Sequence, residues 1–414
     1  MRIARRALLT SIAASFAAPA VMRLAGAHTP RVTLKLHHFF SAVSCGHTQF
    51  LVPWARKVEA ESGGRFRIDL FPSMQLGGGP TQLFDQARDG LADIVWAVPA
   101  NTPGRFPKIE AFELPFVPSR RALVNSRAIQ DYAAAHLQDE FRDVHALSFS
   151  CRDRGVVHSN RTVRSIEDLK GLRLHVTNRL AGEAVHALGA RGVSVPIPQV
   201  PMAIAGHIID GCVDPWDIVP ALRLHDAFKA HTDFAESALS TATFVLAMNR
   251  AAYERLPRDL KTVIDNNSGQ VAAGMAGAMW DREAKAVTDM VRERGASITL
   301  LRADDVAQWR TATAPVIAAW RREMKERRID GGKLLASARA MLERYANEPE
   351  PQANGPPPAS EPTRLPEAKI APQPQTRPPS QTPPAKAEAI ATPKVEPAAP
   401  VIRHGPRKEL DIPL

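Results

Sequence analysis

Residues Lys170–Arg179 read KGLRLHVTNR, and their pattern decides the class of fold. Leu172, Leu174 and Val176 alternate with Arg173, His175 and Thr177, the period of two expected of a half-buried strand. One face of that strand should enter a core, while the other presents a cation, an imidazole and a hydroxyl. Upstream lies SIEDL (165–169), a Ser followed three residues on by Asp, which resembles a capping-box helix start. Downstream a helix is expected from Arg179 to Leu188, stopped by Gly189. A strand that runs straight into a helix aims its carboxyl end at a βα crevice, the usual ligand position in open α/β sheets.

The same alternation extends outward. VTLKL (32–36) and RFRIDLF (65–71) read as strands, and His47–Ser62 reads as an amphipathic helix with Phe50, Leu51, Trp54 and Val58 on one face. A helix at Thr81–Arg88 and a buried apolar strand, ADIVWAV (92–98), follow. Strands and helices joined by short connections predict βαβ units and a largely parallel sheet, an α/β fold. GRFPKIEAFELPFVPS (104–119) reads as a proline-punctuated loop. VHALSF (144–149) and GVVHS (155–159) read as strands on either side of the polar turn CRDR (151–154). GVSVPI is read as a further strand, Pro201 opens a helix, and DGCVDPWD (210–217) is read as a loop carrying Trp216. TATFVLAMN (241–249) and ASITL (296–300) are the last strands. The apolar spacing from Pro257 to Gly295 predicts one helix of about 58 Å at 1.5 Å per residue, longer than a small domain. It must span two lobes or break near Gly269–Gly277.

The 414 residues allow two domains, and 44% hydrophobic residues allow sizeable cores. Residues 1–27 read as an export signal: Arg5 and Arg6 precede an apolar run to Val21, and Ala25-Gly26-Ala27 is a small-residue cleavage pattern. The paired arginines resemble a twin-arginine signal. Its removal takes four arginines (Arg2, Arg5, Arg6, Arg23) and lowers the formal charge from +10 to +6. No basic run interleaved with aromatics is present, so no nucleic-acid partner is expected. Three cysteines, Cys45, Cys151 and Cys212, allow one disulfide and one free thiol without fixing the pair. The spacing of the 13 histidines matches no metal motif, and neither metal nor cofactor is expected. From residue 348 to 414 proline dominates and large apolar side chains nearly vanish, so a disordered tail of polyproline II character is expected.

Seven segments, GGRFRIDLFPSMQLGG, ARDGLADI, FELPFV, SIEDLKGLRLHV, ALGARGVSVPIPQVP, IIDGCVDPW and LPRDLKTVI, occur in one order. Through them the chain from about Val32 to Tyr345 resembles the solute-binding subunits of tripartite ATP-independent periplasmic (TRAP) transporters, the DctP-like family. The resemblance implies a two-lobed, hinged periplasmic-binding-protein-like fold with a long helix crossing both lobes. It divides the chain into lobe I (28–151), lobe II (152–240), a return to lobe I with the start of the long helix (241–280), and the helix end, more of lobe II and the C-terminal helices (281–347). It also implies a periplasmic protein that hands a small organic acid to a TRAP membrane permease; a monomer is expected. The arginine with which the family clamps a carboxylate on the KGLKIR-like strand is His175 here, and the asparagine of its DGxxNP loop is Asp214. A bidentate fork is thereby lost. Arg179 on the βα turn and Arg154 in CRDR are candidate replacements, and Trp216 offers a flat aromatic face. His37 and Phe39, at the end of the first strand, face the same crevice. A sensing module of the same fold is the alternative, and an exported enzyme using His175 and Asp214 as an acid/base pair is the less favoured one.

Overall fold

A computed structural model of the chain describes residues 31–348; the expected export signal and proline-rich tail lie outside them. Eleven strands are described: β1 (Val32–His38), β2 (Phe66–Phe71), β3 (Ile94–Ala97), β4 (His145–Cys151), β5 (Val156–Ser159), β6 (Arg173–Val176), β7 (Arg191–Val193), β8 (Gly211–Asp214), β9 (Ala230–Phe234), β10 (Thr243–Met248) and β11 (Ser297–Leu301). The helices are α1 (Val52–Glu61), α2 (Leu83–Asp89), α3 (Ala122–His136), α4 (Arg179–Ala187), α5 (Val200–Ala205), α6 (Ile218–Ala221), α7 (Leu224–Ala227), α8 (Arg250–Glu254), α9 (Arg258–Asn266), α10 (Gln270–Glu293), α11 (Ala303–Glu326) and α12 (Gly331–Ala346).

The strands form two mixed sheets, ordered β2-β1-β3-β10-β4 and β11-β9-β5-β8-β6-β7. In the first, β1 runs parallel to β2 and β3, whereas β10 is antiparallel to β3 and β4. In the second, β6 is parallel to β7 and β8, and β5 is antiparallel to β8 and β9. Sheets with helices on both faces make this an α/β protein of two lobes. The chain crosses between the sheets after β4 and returns after β9. Those two crossings lie side by side, with Arg152 N donating to Ala242 O at 2.9 Å and Gly155 N to Ser240 O at 2.8 Å. Gly155 lets the two crossings approach closely, since a Cβ there would press on Ser240 Oγ at 2.3 Å and stand 3.4 Å from Ser240 O.

Two readings of the sequence change in three dimensions. Residues 210–217 were expected as a loop, yet Gly211–Asp214 is a central strand of the second sheet. Its glycine marks a close approach, since a Cβ at 211 would lie 2.5 Å from His158 O. Likewise, β6 is not half-exposed: Leu174, His175 and Val176 are all buried, so both faces of the sheet are covered. Strand β9 (AHTDF) has no counterpart in the sequence reading, because its buried His, Thr and Asp break an apolar pattern.

The long helical run is broken. Asn267–Gly269 separates α9 from α10, with Gly269 at φ 57° and its N–H given to Leu147 O at 2.7 Å. Helix α10 still serves both lobes. Ala272, Ala276, Met279 and Trp280 pack with β1, β3 and β10, while Ala284, Val287 and Val291 pack with Trp216 and Ile218. Helix α11 does the same, with Trp309 in the second lobe's core, Trp320 in the first, and Pro315 between them. None of the described helices is long and apolar enough to cross a membrane. Cys45, Cys151 and Cys212 are buried free thiols.

Helices α10 and α3 touch at Gly277, where a Cβ would stand 2.6 Å from Leu123 Cα and 2.9 Å from Ala122 O. Backbone cannot yield as a side chain can. Gly277→Ala should therefore destabilise the protein by about 1–3 kcal/mol through overpacking. A thermal melt would register this as a fall of several degrees; an unchanged midpoint would show that the helices can separate without cost.

Candidate functional site

The segment that crosses from β4 to β5 carries two buried arginines on alternate residues, and they do different work. Arg154 donates from Nε and Nη2 to the two oxygens of Asp233 at 2.7 and 2.6 Å, and from Nη1 to Asp153 at 2.8 Å. Every face of its fork is committed to holding the crossing together. Burial disfavours its charge, but the two carboxylates outweigh that and raise its pKa. Arg152 pairs with Asp217, Nε to Oδ1 at 3.0 Å and Nη2 to Oδ2 at 2.5 Å. A guanidinium has five N–H groups, so one edge of the fork is satisfied while Nη1 has no hydrogen-bond partner among the described residues.

Arg152 reaches the first lobe's aromatic wall. Its guanidinium carbon lies 5.3 Å from the ring centroid of Trp280 and 5.6 Å from that of Phe40. Around them stand Trp96, 5.0 Å from Phe40, and Phe244, 4.6 Å from Trp96. Phe39, one of the expected site residues, stacks on Phe40 at 4.3 Å and is only partly buried. The wall forms because the turn after β1 and the first half of α10 both pack over β3 and β10. Chemically, one cation with an open edge beside flat apolar rings suits an anion attached to an aromatic body.

His175 and Asp214 are brought together, but with each other. His175 Nδ1 lies 2.7 Å from Asp214 Oδ2, and Nε2 lies 3.1 Å from Val195 O. A carbonyl only accepts, so Nε2 carries a proton; the carboxylate accepts from Nδ1, and the ring is an imidazolium. Burial pushes its pKa down, but the hydrogen bond and charge of Asp214 outweigh burial and raise it. No ring nitrogen is left over for a ligand. Asp214 Oδ1, by contrast, is buried without a hydrogen-bond partner among the described residues.

Trp216 lies in the second lobe's core, fully buried, with His158 and His231 at 5.1 and 5.2 Å. Its faces are thus packed by imidazoles rather than open to a crevice. His158 Nε2 donates to Asp214 O, so His158 Nδ1 receives the Nδ1 proton of His231 at 2.7 Å. Burial pushes these two rings down to about 4 and about 3, leaving both neutral.

Arg179 is far more exposed, at 38%, and its charge is shared among Glu110 at 2.7 Å, Glu183 at 2.8 Å and Glu323 at 3.4 Å. It lines an open groove with His186, Arg191 and Arg322, away from the aromatic wall. His37 is turned toward α2, with Nδ1 on Gln86 Oε1 at 2.7 Å and Nε2 accepting from Leu76 N. Sequence reasoning missed Arg152, Asp217 and Trp280. Arg152 and Asp217 stood inside the quoted CRDR and DGCVDPWD segments; Trp280 was hidden in a helical run whose apolar residues read as core.

The family model described as "Bacterial extracellular solute-binding protein, family 7" matches residues 37–323. The structure is similar to a TRAP solute-binding protein from Rhodoferax ferrireducens in complex with copurified benzoate: 39% identity, coverage of 76% of this chain and 98% of that one, TM-score 0.73. A marine metagenome TRAP solute-binding protein specific for aromatic acid ligands, solved with 3-hydroxybenzoate, is 37% identical, with coverage of 77% and 99% and the same TM-score of 0.73. A TRAP protein from Bordetella bronchiseptica with bound mandelate is 26% identical, covers 76% and 99%, and has a TM-score of 0.69.

The His175–Asp214 pair has a pH signature. A raised native pKa stabilises the fold fully below the unfolded value of about 6.5 and loses that contribution as pH rises through the native value. The stability difference between wild type and His175→Gln, measured by urea unfolding, should accordingly be larger at pH 6 than at pH 9. A difference that grows with pH would contradict an imidazolium at this position.

Proposed function

This chain belongs to the family-7 bacterial extracellular solute-binding proteins, the DctP-like solute-binding subunits of TRAP transporters, and we propose that it captures a small aromatic carboxylate between its lobes and delivers it to a TRAP permease. The observation that carries the ligand class is Arg152, a buried guanidinium with an open Nη1 edge set against Phe40 and Trp280. The carboxylate lies on that edge, and the ring of the ligand packs on the accessible rim of the wall at Phe39 and Phe40, with the fully buried Trp96 and Phe244 behind them. Asp217 keeps the fork oriented from the opposite side, a preorganised arrangement that a single flexible cation lacks. Relatives solved with benzoate and 3-hydroxybenzoate support the same class of ligand.

In this reading His175 and Asp214 neutralise one another beneath the site, and the anchoring cation moves from the strand to the crossing segment. Arg179 ties Glu110, in the loop after β3, to α4 of the second lobe, which favours approach of the lobes around a bound ligand. Trp216 supports the loop that carries Asp217. Members of the family are periplasmic, and the export signal read in residues 1–27 fits that compartment.

The double variant Arg152→Gln, Asp217→Asn removes both charges and leaves no unpaired ion buried. Its affinity for benzoate, by isothermal titration calorimetry, should fall at least about a hundredfold, as expected on losing a buried, hydrogen-bonded charge contact. Arg179→Ala should stay within about tenfold of wild type, since it loses only a partly exposed ion pair. The opposite ranking would move the anchor to Arg179.

A further inference from the structure

Resting on the aromatic-carboxylate reading, we infer that Trp280 is a second hydrogen-bond donor to the ligand's carboxylate, acting beside Arg152. Its indole is fully buried, and its Nε1 has no hydrogen-bond partner among the described residues. Indole N–H only donates, so a buried one without an acceptor is costly and uncommon in a finished core. Two other tryptophans, equally buried, satisfy theirs: Trp54 Nε1 donates to Asn267 O at 2.7 Å and Trp320 Nε1 to Pro107 O at 3.3 Å. Trp216 Nε1 is also unpartnered, but Trp216 lies among the imidazoles of the second lobe, whereas Trp280 packs against the guanidinium of Arg152.

The neighbours of Trp280 explain why nothing in the protein accepts this proton. The ring faces around it are aromatic, with Phe40 and Trp96 each at 6.0 Å and Phe244 at 6.3 Å, and none carries an oxygen. On the helix itself, the next residue, Asp281, is turned away, its two oxygens accepting the backbone N–H groups of Ala122 and Leu123 at the start of α3. Glu283 accepts from Gln49 Nε2 at 3.2 Å. A carboxylate on the open edge of Arg152 has lone pairs left over after one guanidinium contact, and the indole N–H supplies the donor they lack. The two donors come from different elements, the crossing segment and α10, so together they fix the plane of the carboxylate as well as its position.

The test is Trp280→Phe in the full exported chain. The phenyl ring preserves an aromatic face beneath Arg152 and removes only the N–H. Benzoate affinity should fall about tenfold, the usual cost of one hydrogen bond to a charged group, against a fall of at least about a hundredfold for the double variant at Arg152 and Asp217. In wild-type protein the Trp280 indole proton resonance should also move downfield on saturation with benzoate, a readout that does not depend on how well the variant folds. Unchanged affinity in Trp280→Phe, or an unmoved resonance, would overturn the donor role while leaving the aromatic-acid reading intact. If the wild-type protein binds neither benzoate nor 3-hydroxybenzoate, the reading and the inference fall together.

Discussion

Two strands of chain pass from one lobe to the other side by side, and what pins them is the fork of Arg154 on Asp233. That pair is almost wholly buried, with side chains 5% and 2% exposed. Removing either partner would leave an uncompensated charge in the interior, at a cost of about 3–5 kcal/mol. Around it gather Arg120, which also reaches Asp233, and Asp153, whose second oxygen accepts the backbone N–H of Trp216. Thr241 on the returning strand closes the knot by donating to Arg152 O at 2.8 Å. A single ion-pair network thus fixes the backbone on either side of Arg152 and the start of the loop that bears Asp217. The open-edged fork of Arg152 is held in place by a neighbouring fork whose donors are all committed within the fold.

The second dependency is chemical. A clamp built on a strand arginine and a loop asparagine needs the arginine free to meet a ligand. Here the same two positions hold His175 and Asp214, and each occupies the other. The exchange is coherent only as a pair: an imidazolium without its carboxylate would be buried and unpaired, and the carboxylate alone would repel an anion. With the pair closed on itself, His175 has no ring nitrogen free to meet a carboxylate.

How much of this was legible in the sequence depends on the range of each interaction. Strand β6 and helix α4 were readable because Leu172, Leu174 and Val176 alternate and Gly189 closes the helix; in the structure Asn178, whose side chain accepts from Ala181 N at 2.8 Å, caps it. The family itself was legible from ordered motifs that span the folded chain. Partnerships across long separations were not. Asp214 is 39 residues from His175, and nothing in either segment announces the contact. The CRDR turn shows two arginines of equal promise. Only the positions of Asp233 and Asp217, set by β9 and by the end of β8, decide that Arg154 is structural and Arg152 carries an open edge. Strand β8 was concealed by its own glycine, which reads as a turn in one dimension and as a close packing contact in three. Trp280 fell within a helical apolar spacing, and a spacing assigns a residue to a face without revealing whether its polar atom is satisfied.

Pairing every buried cation of the crevice with a carboxylate has a consequence for the valence of the cargo. Arg152 is matched by Asp217 and His175 by Asp214, so these four groups together carry no net charge. In the proposed function, a solute bearing one carboxylate places its single charge on the open edge of Arg152, where a directional contact compensates it. A solute bearing two would bring its second charge into a desolvated aromatic wall with no second cation to receive it, a penalty of several kcal/mol for one ion. On the proposed reading, such a crevice would sort anions by charge number before shape, favouring monoanions over dianions of similar size.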